Sequence, residues 1–308
     1  MTRGLRIKLS DESTYYHITS RAVQQLFLIT DEDKEEFMRL TTWLQDTYFA
    51  DVLSFAVLDN HYHLIVNITP PPEKVDLVDM QQRYLNYYPN RPLDTMDVQK
   101  MLKRWTDLSK FMADLNRYFA IYMNRKNHTS GHFWSDRFYS TILEDDEALL
   151  NCMTYVDLNA IRAGIVNMPD QYSYGTVGYL LKKKNRSGMI ALERLQNILS
   201  QHITEKNAEV QAMITRLKNL PNQFRICYAR YIVYLRELVR QEKKEWRENR
   251  ENVGEKQESK INFFQHLRYF SRAIAVGSHK FLNQVYAKAS ITKKLRFFST
   301  DIPSLAFL

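Results

Sequence analysis

Two histidines one residue apart, His61 and His63, sit inside the apolar run Val57-Leu58-Asp59-Asn60-His61-Tyr62-His63-Leu64-Ile65-Val66. Side chains alternate along a β-strand, so a strand here puts both imidazoles on one face, about 7 Å apart at Cα, with Tyr62 and Leu64 on the other. That spacing suits two neutral imidazoles converging on one divalent metal. It suits equally well two half-buried histidines, each satisfied by a hydrogen bond. Much later in the chain comes Thr154-Tyr155-Val156-Asp157-Leu158-Asn159-Ala160-Ile161-Arg162-Ala163-Gly164. On a helix Tyr155 and Asn159 project from one face, one above the other. Alone they read as surface residues; beside a His-x-His strand they become a candidate nucleophile and a candidate third metal ligand.

The surrounding pattern shows what has to position them. Residues Thr14 to Thr19 read as a first strand. After Asp31-Glu32-Asp33, the positions Phe37, Leu40, Trp43 and Leu44 recur at helical spacing. A strand from about Asp51 to Leu58 turns tightly at Asp59-Asn60 into the histidine strand. Strand, helix, strand, strand is the opening of a ferredoxin-like antiparallel sheet with helices on one face, an α+β fold. Pro70-Pro71-Pro72 ends this unit, and an insertion with short helices occupies about 70–106. Leu108, Phe111, Met112, Leu115, Phe119 and Met123 form one helical stripe. After Gly131, the segment His132 to Leu143 reads as a return strand. Glu144-Asp145-Asp146 caps the helix that carries Tyr155, whose buried side is marked by Leu149, Leu150, Met153, Val156 and Ile161, and Gly164 stops it. We therefore expect one domain over 1–180 and a mostly helical accessory region over 181–308, opened by the basic run Lys182-Lys183-Lys184-Asn185-Arg186 and carrying a highly charged helix or connector over 241–260.

Composition narrows the class. The chain has 308 residues, 44% of them hydrophobic, and only 8 Gly and 8 Pro, which fits a folded protein with sizeable cores rather than a low-complexity chain. Lys and Arg outnumber Asp and Glu by 43 to 35, a net charge of +8, which fits either a soluble basic surface or a polyanion partner. Two cysteines, Cys152 and Cys227, suggest neither a disulfide framework nor a cysteine zinc site. The N-terminus has no apolar signal region, and no apolar run approaches membrane-spanning length, so a cytoplasmic protein without a membrane partner is expected.

Three blocks, LDNHYHLIV, NRKNHTSGHFWSDRFYSTIL and MTYVDLNAIRAGIV, resemble in that order the signature blocks of the REP-associated tyrosine transposase family, within the HUH single-tyrosine transposase superfamily. The opening TYYHITSRAVQQLF resembles that family's first strand, so the resemblance spans roughly residues 8–180; RAIAVGSHKFLNQVY near the end resembles a tail segment of some members. The resemblance implies that His61 and His63 hold Mg²⁺ or Mn²⁺, that Asn159 completes the protein ligands, and that Tyr155 attacks the scissile phosphate. It also implies a metal-dependent single-strand transposase or endonuclease that cleaves and rejoins hairpin-bearing DNA through a 5′-phosphotyrosine intermediate. The chain departs from the family pattern at Leu58-Asp59, where Met-Pro is usual, and at Ala160, where Pro is usual. Both positions concern backbone shape more than chemistry.

A single-stranded or hairpin DNA substrate would meet phosphate contacts at Arg117, Arg125, Lys126 and Arg137. Phe133, Trp134, Phe138 and Tyr139 are candidates for stacking on unpaired bases, or alternatively core residues of the return strand. Trp134 and Arg137 are the preferred contacts. His17 and His132 read as structural or DNA-proximal rather than as ligands. Tyr15, Tyr16, Tyr118, Tyr122 and Tyr139 are rival nucleophiles, none of them four residues from an amide on a matched helix. The function class opposed to the enzyme is a non-catalytic hairpin-binding protein derived from a transposase, and the assembly is expected to be a monomer or homodimer.

Overall fold

A computed structural model describes residues 9, 12–23, 29–145, 147–182, 196–218, 220, 222–253, 273–288 and 297–299. The expected order appears: β1 (Thr14–Arg21), α1 (Asp31–Gln45), β2 (Ala50–Val57), β3 (His61–Ile68), the insertion helices α2 (Leu77–Tyr87) and α3 (Val98–Trp105), α4 (Leu108–Lys126) and β4 (Tyr139–Leu143). The strands lie in the order β2-β3-β1-β4, all antiparallel, which is the ferredoxin-like arrangement. β2 turns into β3 over Asp59-Asn60, closed by Leu58 N donating to His61 O at 2.8 Å.

On one face of the sheet Tyr16, Ile18, Tyr62, Leu64 and Val66 join a core with α1 and α4. α4 starts where the Asp107 carboxylate accepts from Ser109 N and Lys110 N. It buries the whole expected stripe from Leu108 to Met123, each fully buried large side chain contributing about 1.5–3 kcal/mol relative to exposure. The insertion is pinned to this layer by Asp114 of α4, which accepts from Tyr48, from Tyr87 at 2.8 Å and from Arg104 at 2.6 Å.

The opposite face, which carries the histidines, is covered by α5 (Glu147–Asp157) and its continuation α6 (Asn159–Arg162). The single helix expected up to Gly164 is interrupted at Leu158. Asn159 Nδ2 donates to Tyr155 O at 2.9 Å and Val156 O at 3.4 Å, competing for carbonyls that the helix would use. Gly164, at φ +72°, ends α6 in the left-handed region.

Beyond α7 (Thr176–Lys182) the chain is helical in α8 (Gln196–His202), α9 (Ala208–Arg216), α10 (Asn222–Val253) and α11 (His279–Lys288). It also supplies two short strands, β5 (Ala275–Gly277) and β6 (Phe297–Ser299), that extend the sheet in parallel beside β4. One hydrophobic cluster contains Tyr155, Val156 and Leu158 together with Leu199, Val210, Tyr228, Tyr231 and Leu235, so a shared core crosses the 180/181 boundary. Residues 183–186 of the basic run and 254–260 of the charged segment lie outside the described residues. Among the described residues no helix is long and apolar enough to cross a membrane.

Candidate active site

Strand alternation sets the first two groups. Tyr62 and Leu64 point into the α1/α4 core, so His61 and His63 face the other way, toward α5. β1 adds a third imidazole. In the β1–β3 ladder Thr19 is opposite His63 and His17 opposite Ile65, which makes His17 the diagonal neighbour of His63 on the same face. The two rings stack with centroids 5.2 Å apart, and His17 Nε2 lies 3.0 Å from His63 Nδ1, one of them carrying the proton. His17 is fully buried, and its place is behind His63.

Tyr155 reaches the same spot from α5. Its ring centre is 5.5 Å from that of His63 and 5.6 Å from that of His17, edge-on to both. His61 and His63 are 5.3 Å apart by ring centres. Tyr155, His61, His63 and Asn159 line a cavity of about 500 Å³, whose wall also holds Arg21, Arg162, Ser135, Asp136 and Arg137. The expected nucleophile, both histidines and the amide therefore share one site.

Two imidazoles and one amide stand on the wall of one cavity, a mixed nitrogen and oxygen set that a divalent ion could share. His61 Nδ1 donates to Asn60 Oδ1 at 2.6 Å, which leaves its Nε2 lone pair for ligation; His63 Nε2 is free in the same way in the tautomer whose Nδ1 donates to His17 Nε2. Burial first, then Arg21, pushes the His61 imidazole down to about 4. Burial, then the neighbouring His17 and His61, holds His63 well below its usual value. Both rings are thus neutral near pH 7, the form that binds metal. Asn159 uses its amide nitrogen within the helix, and its Oδ1 remains as a donor to an ion. No group of three or more His, Cys, Asp or Glu side chains able to hold a metal occurs among the described residues.

α10 packs behind α5. Asp157, two residues after Tyr155, points away from the cavity and accepts from Tyr231 at 2.7 Å. Burial raises its carboxyl to about 7, against the lowering effect of hydrogen bonds from Tyr231 and Thr176.

The return segment departs from a continuous strand. Thr19 pairs with Tyr139, but Ala22 bridges to Trp134, so three steps along β1 are matched by five along the return segment. The two extra residues push Ser135, Asp136 and Arg137 outward, anchored by Ser135 N and Oγ donating to Arg21 O. This places Arg137 on the cavity rim. The same three residues line an adjoining groove with Asn116, Arg117 and Trp134.

The other expected DNA contacts divide. Arg117 is exposed in that groove. Trp134 is packed against Tyr62, Phe119 and Phe133 and donates through Nε1 to Asn116 O, so most of the indole is part of the core and only its remaining surface lines the groove. Phe133 and Phe138 are buried, in line with their core alternative. Arg125 is exposed and lines neither cavity nor groove. Lys126 differs from expectation: its ammonium is committed to Asp33 at 2.6 Å and Glu32 at 3.0 Å, in the acidic first turn of α1. Burial pushes the Asp33 carboxyl up, but Lys126, Thr30 and Tyr122 outweigh it and hold it below the usual range.

Two basic cavity residues escape the sequence reading, Arg21 and Arg162. Arg162 had a local signal, because Tyr155, Asn159 and Arg162 follow i, i+4, i+7. Arg21 lies opposite His61 only through the strand register.

No family model matches the chain, and no curated protein matches it. Among solved structures, one described as a REP-associated tyrosine transposase bound to a REP hairpin is similar over 59% of this chain and 87% of that chain, at 11% sequence identity and a TM-score of 0.37. At that identity and score the likeness carries nothing about ligand or chemistry.

Proposed function

We propose that this protein cleaves and rejoins single-stranded, hairpin-bearing DNA by divalent-metal-dependent transesterification at Tyr155. The supporting observation is the convergence of Tyr155, His61, His63 and Asn159 in one arginine-lined cavity. Mg²⁺ or Mn²⁺ would be held by His61 Nε2, His63 Nε2 and Asn159 Oδ1, and would supply polarisation of the scissile phosphate.

The chain's own residues do the rest. The Tyr155 oxygen forms a bond to phosphorus as the P–O3′ bond breaks, and the electron pair of that bond stays on the 3′ oxygen. The phenol proton passes to water at the open mouth of the cavity, and the 3′ oxygen takes one up from water. A free tyrosine is ionised only about one part in a thousand at pH 7, a deficit of about 4 kcal/mol that electrostatic stabilisation must offset. Arg21 and Arg137 line the same wall and would hold the flanking backbone, while Arg117 and the remaining Trp134 surface would take the unpaired strand in the adjoining groove. The phosphotyrosyl bond retains the energy of the phosphodiester, so the 3′-OH of another strand can reverse the step and join new ends.

The test is incubation of the full chain with single-stranded hairpin oligonucleotides and Mg²⁺ or Mn²⁺, resolved on a denaturing gel. A covalent protein–DNA adduct is expected, lost in Tyr155→Phe with hairpin affinity retained. Tight hairpin binding with no adduct in either metal replaces this reading with the non-catalytic hairpin-binding one.

A further inference from the structure

Arg162 is the last residue of α6 and lies on the stripe of Tyr155 and Asn159. Its guanidinium carbon stands 4.7 Å from the centre of the Tyr155 ring, and its side chain lines the cavity with both histidines. Its Nη1 is buried and has no hydrogen-bond partner among the described residues. A guanidinium carries five donors and no acceptor, and an unmatched buried one is costly. A donor left unmatched at a cavity wall calls for an acceptor from outside the chain. The planar fork matches the oxygens of a phosphoryl group, two at a time. Arg21 and Arg137 share the wall, but neither lies over the Tyr155 ring nor has a buried, unmatched N–H among the described residues.

We propose that Arg162 binds a non-bridging oxygen of the phosphoryl group that becomes attached to Tyr155, holding that group above the phenol ring and stabilising the charge that develops on it. This rests on the reading of Tyr155 as nucleophile and makes Arg162 a catalytic residue. Its spacing from Tyr155 then has a purpose: α5 and its continuation α6 carry, seven residues apart, the attacking oxygen and the cation that receives the phosphate.

Two measurements on the full chain test it. The first titrates inorganic phosphate in EDTA, followed by ³¹P line broadening. Arg162→Gln should weaken phosphate binding at least about tenfold, Arg162→Lys by less, and Tyr155→Phe hardly at all. The second follows adduct formation with a hairpin oligonucleotide and Mn²⁺. Arg162→Gln should slow it about 100-fold with hairpin affinity within about threefold, because the remaining phosphates dominate binding. An Arg162→Gln protein with unaltered circular dichroism and unaltered phosphate affinity overturns the proposal, whatever the adduct does. If Arg162→Gln does not fold, an Arg162→Lys protein with unchanged adduct rate overturns it, since lysine cannot reproduce the fork. Arg162-dependent phosphate binding in a wild type that never forms an adduct supports the anion site and defeats the strand-transfer reading.

Discussion

Replacing His61 by Gln should remove a specific part of the protein's acid sensitivity. In the folded chain burial and then Arg21 push the His61 imidazole from its ordinary 6.5 down to about 4, whereas in the unfolded chain it regains the ordinary value. Between those two pH values the unfolded state binds the proton and the folded state does not, so stability falls as pH falls. The loss is zero above pH 6.5, grows through the window from 6.5 to 4, and is constant below it. At pH 5.0 the two protonation equilibria differ by about 2 kcal/mol, rising to about 3 kcal/mol at the lower end. Gln keeps a polar group of similar size without a titratable nitrogen. Urea unfolding in EDTA at pH 7.5 and 5.0 should therefore show the wild type losing about 2 kcal/mol more than His61→Gln over that interval. Carboxylates titrate in both proteins and cancel in the difference. Parallel losses, within about 0.5 kcal/mol, would mean that His61 protonates freely in the folded chain and that the case for a neutral, metal-ready ring is wrong.

Two further outcomes bear on the fold and the surface. A Cβ on Gly178 of α7 would stand 1.9 Å from the Tyr172 carbonyl oxygen, a backbone atom that cannot swing aside; Gly178→Ala should cost about 3 kcal/mol in chemical denaturation, and a cost near zero would refute that close approach. For hairpin binding against salt, Arg137→Gln should flatten the log–log slope by about 0.7. Lys126→Gln should leave the slope unchanged while lowering the melting temperature, because its charge is already matched by Asp33 and Glu32; a flattened slope in that variant would show the ion pairs opening for DNA.

Much of the site was legible because its signals are local. Alternation put His61 and His63 on one face, and helical spacing paired Tyr155 with Asn159. What was hidden depends on register and on distant chain. His17 meets His63 only because β1 pairs with β3 so that Thr19 is opposite His63. Arg137 reaches the rim only because two extra residues interrupt the return strand, and a stretch rich in aromatic and β-branched residues reads the same with or without that interruption. Lys126 follows Arg125 in a run that reads as basic surface, yet the N-terminus of α1 folds beneath it and takes its charge. β5 is three residues long, too short for any periodicity to declare, and its pairing with β4 is parallel and non-local.

That last pairing also bears on how the protein is made. Tyr139 and Thr141 hydrogen-bond through their hydroxyls to the carbonyl of Ala273, and the backbone N–H groups of Ile142 and Glu144 donate to Ile274 and Val276. As the chain leaves a ribosome, β4 completes the antiparallel half of the sheet long before its neighbour has been synthesised. The other rim, β2, is covered by Tyr174 and Thr176, which emerge soon after. For the length of chain between them, the nascent protein presents an apolar strand with unpaired N–H and C=O groups, a template on which a second nascent chain can pair. A chain stopped before residue 273 keeps that bare edge permanently, and the deficit should appear first in its soluble yield.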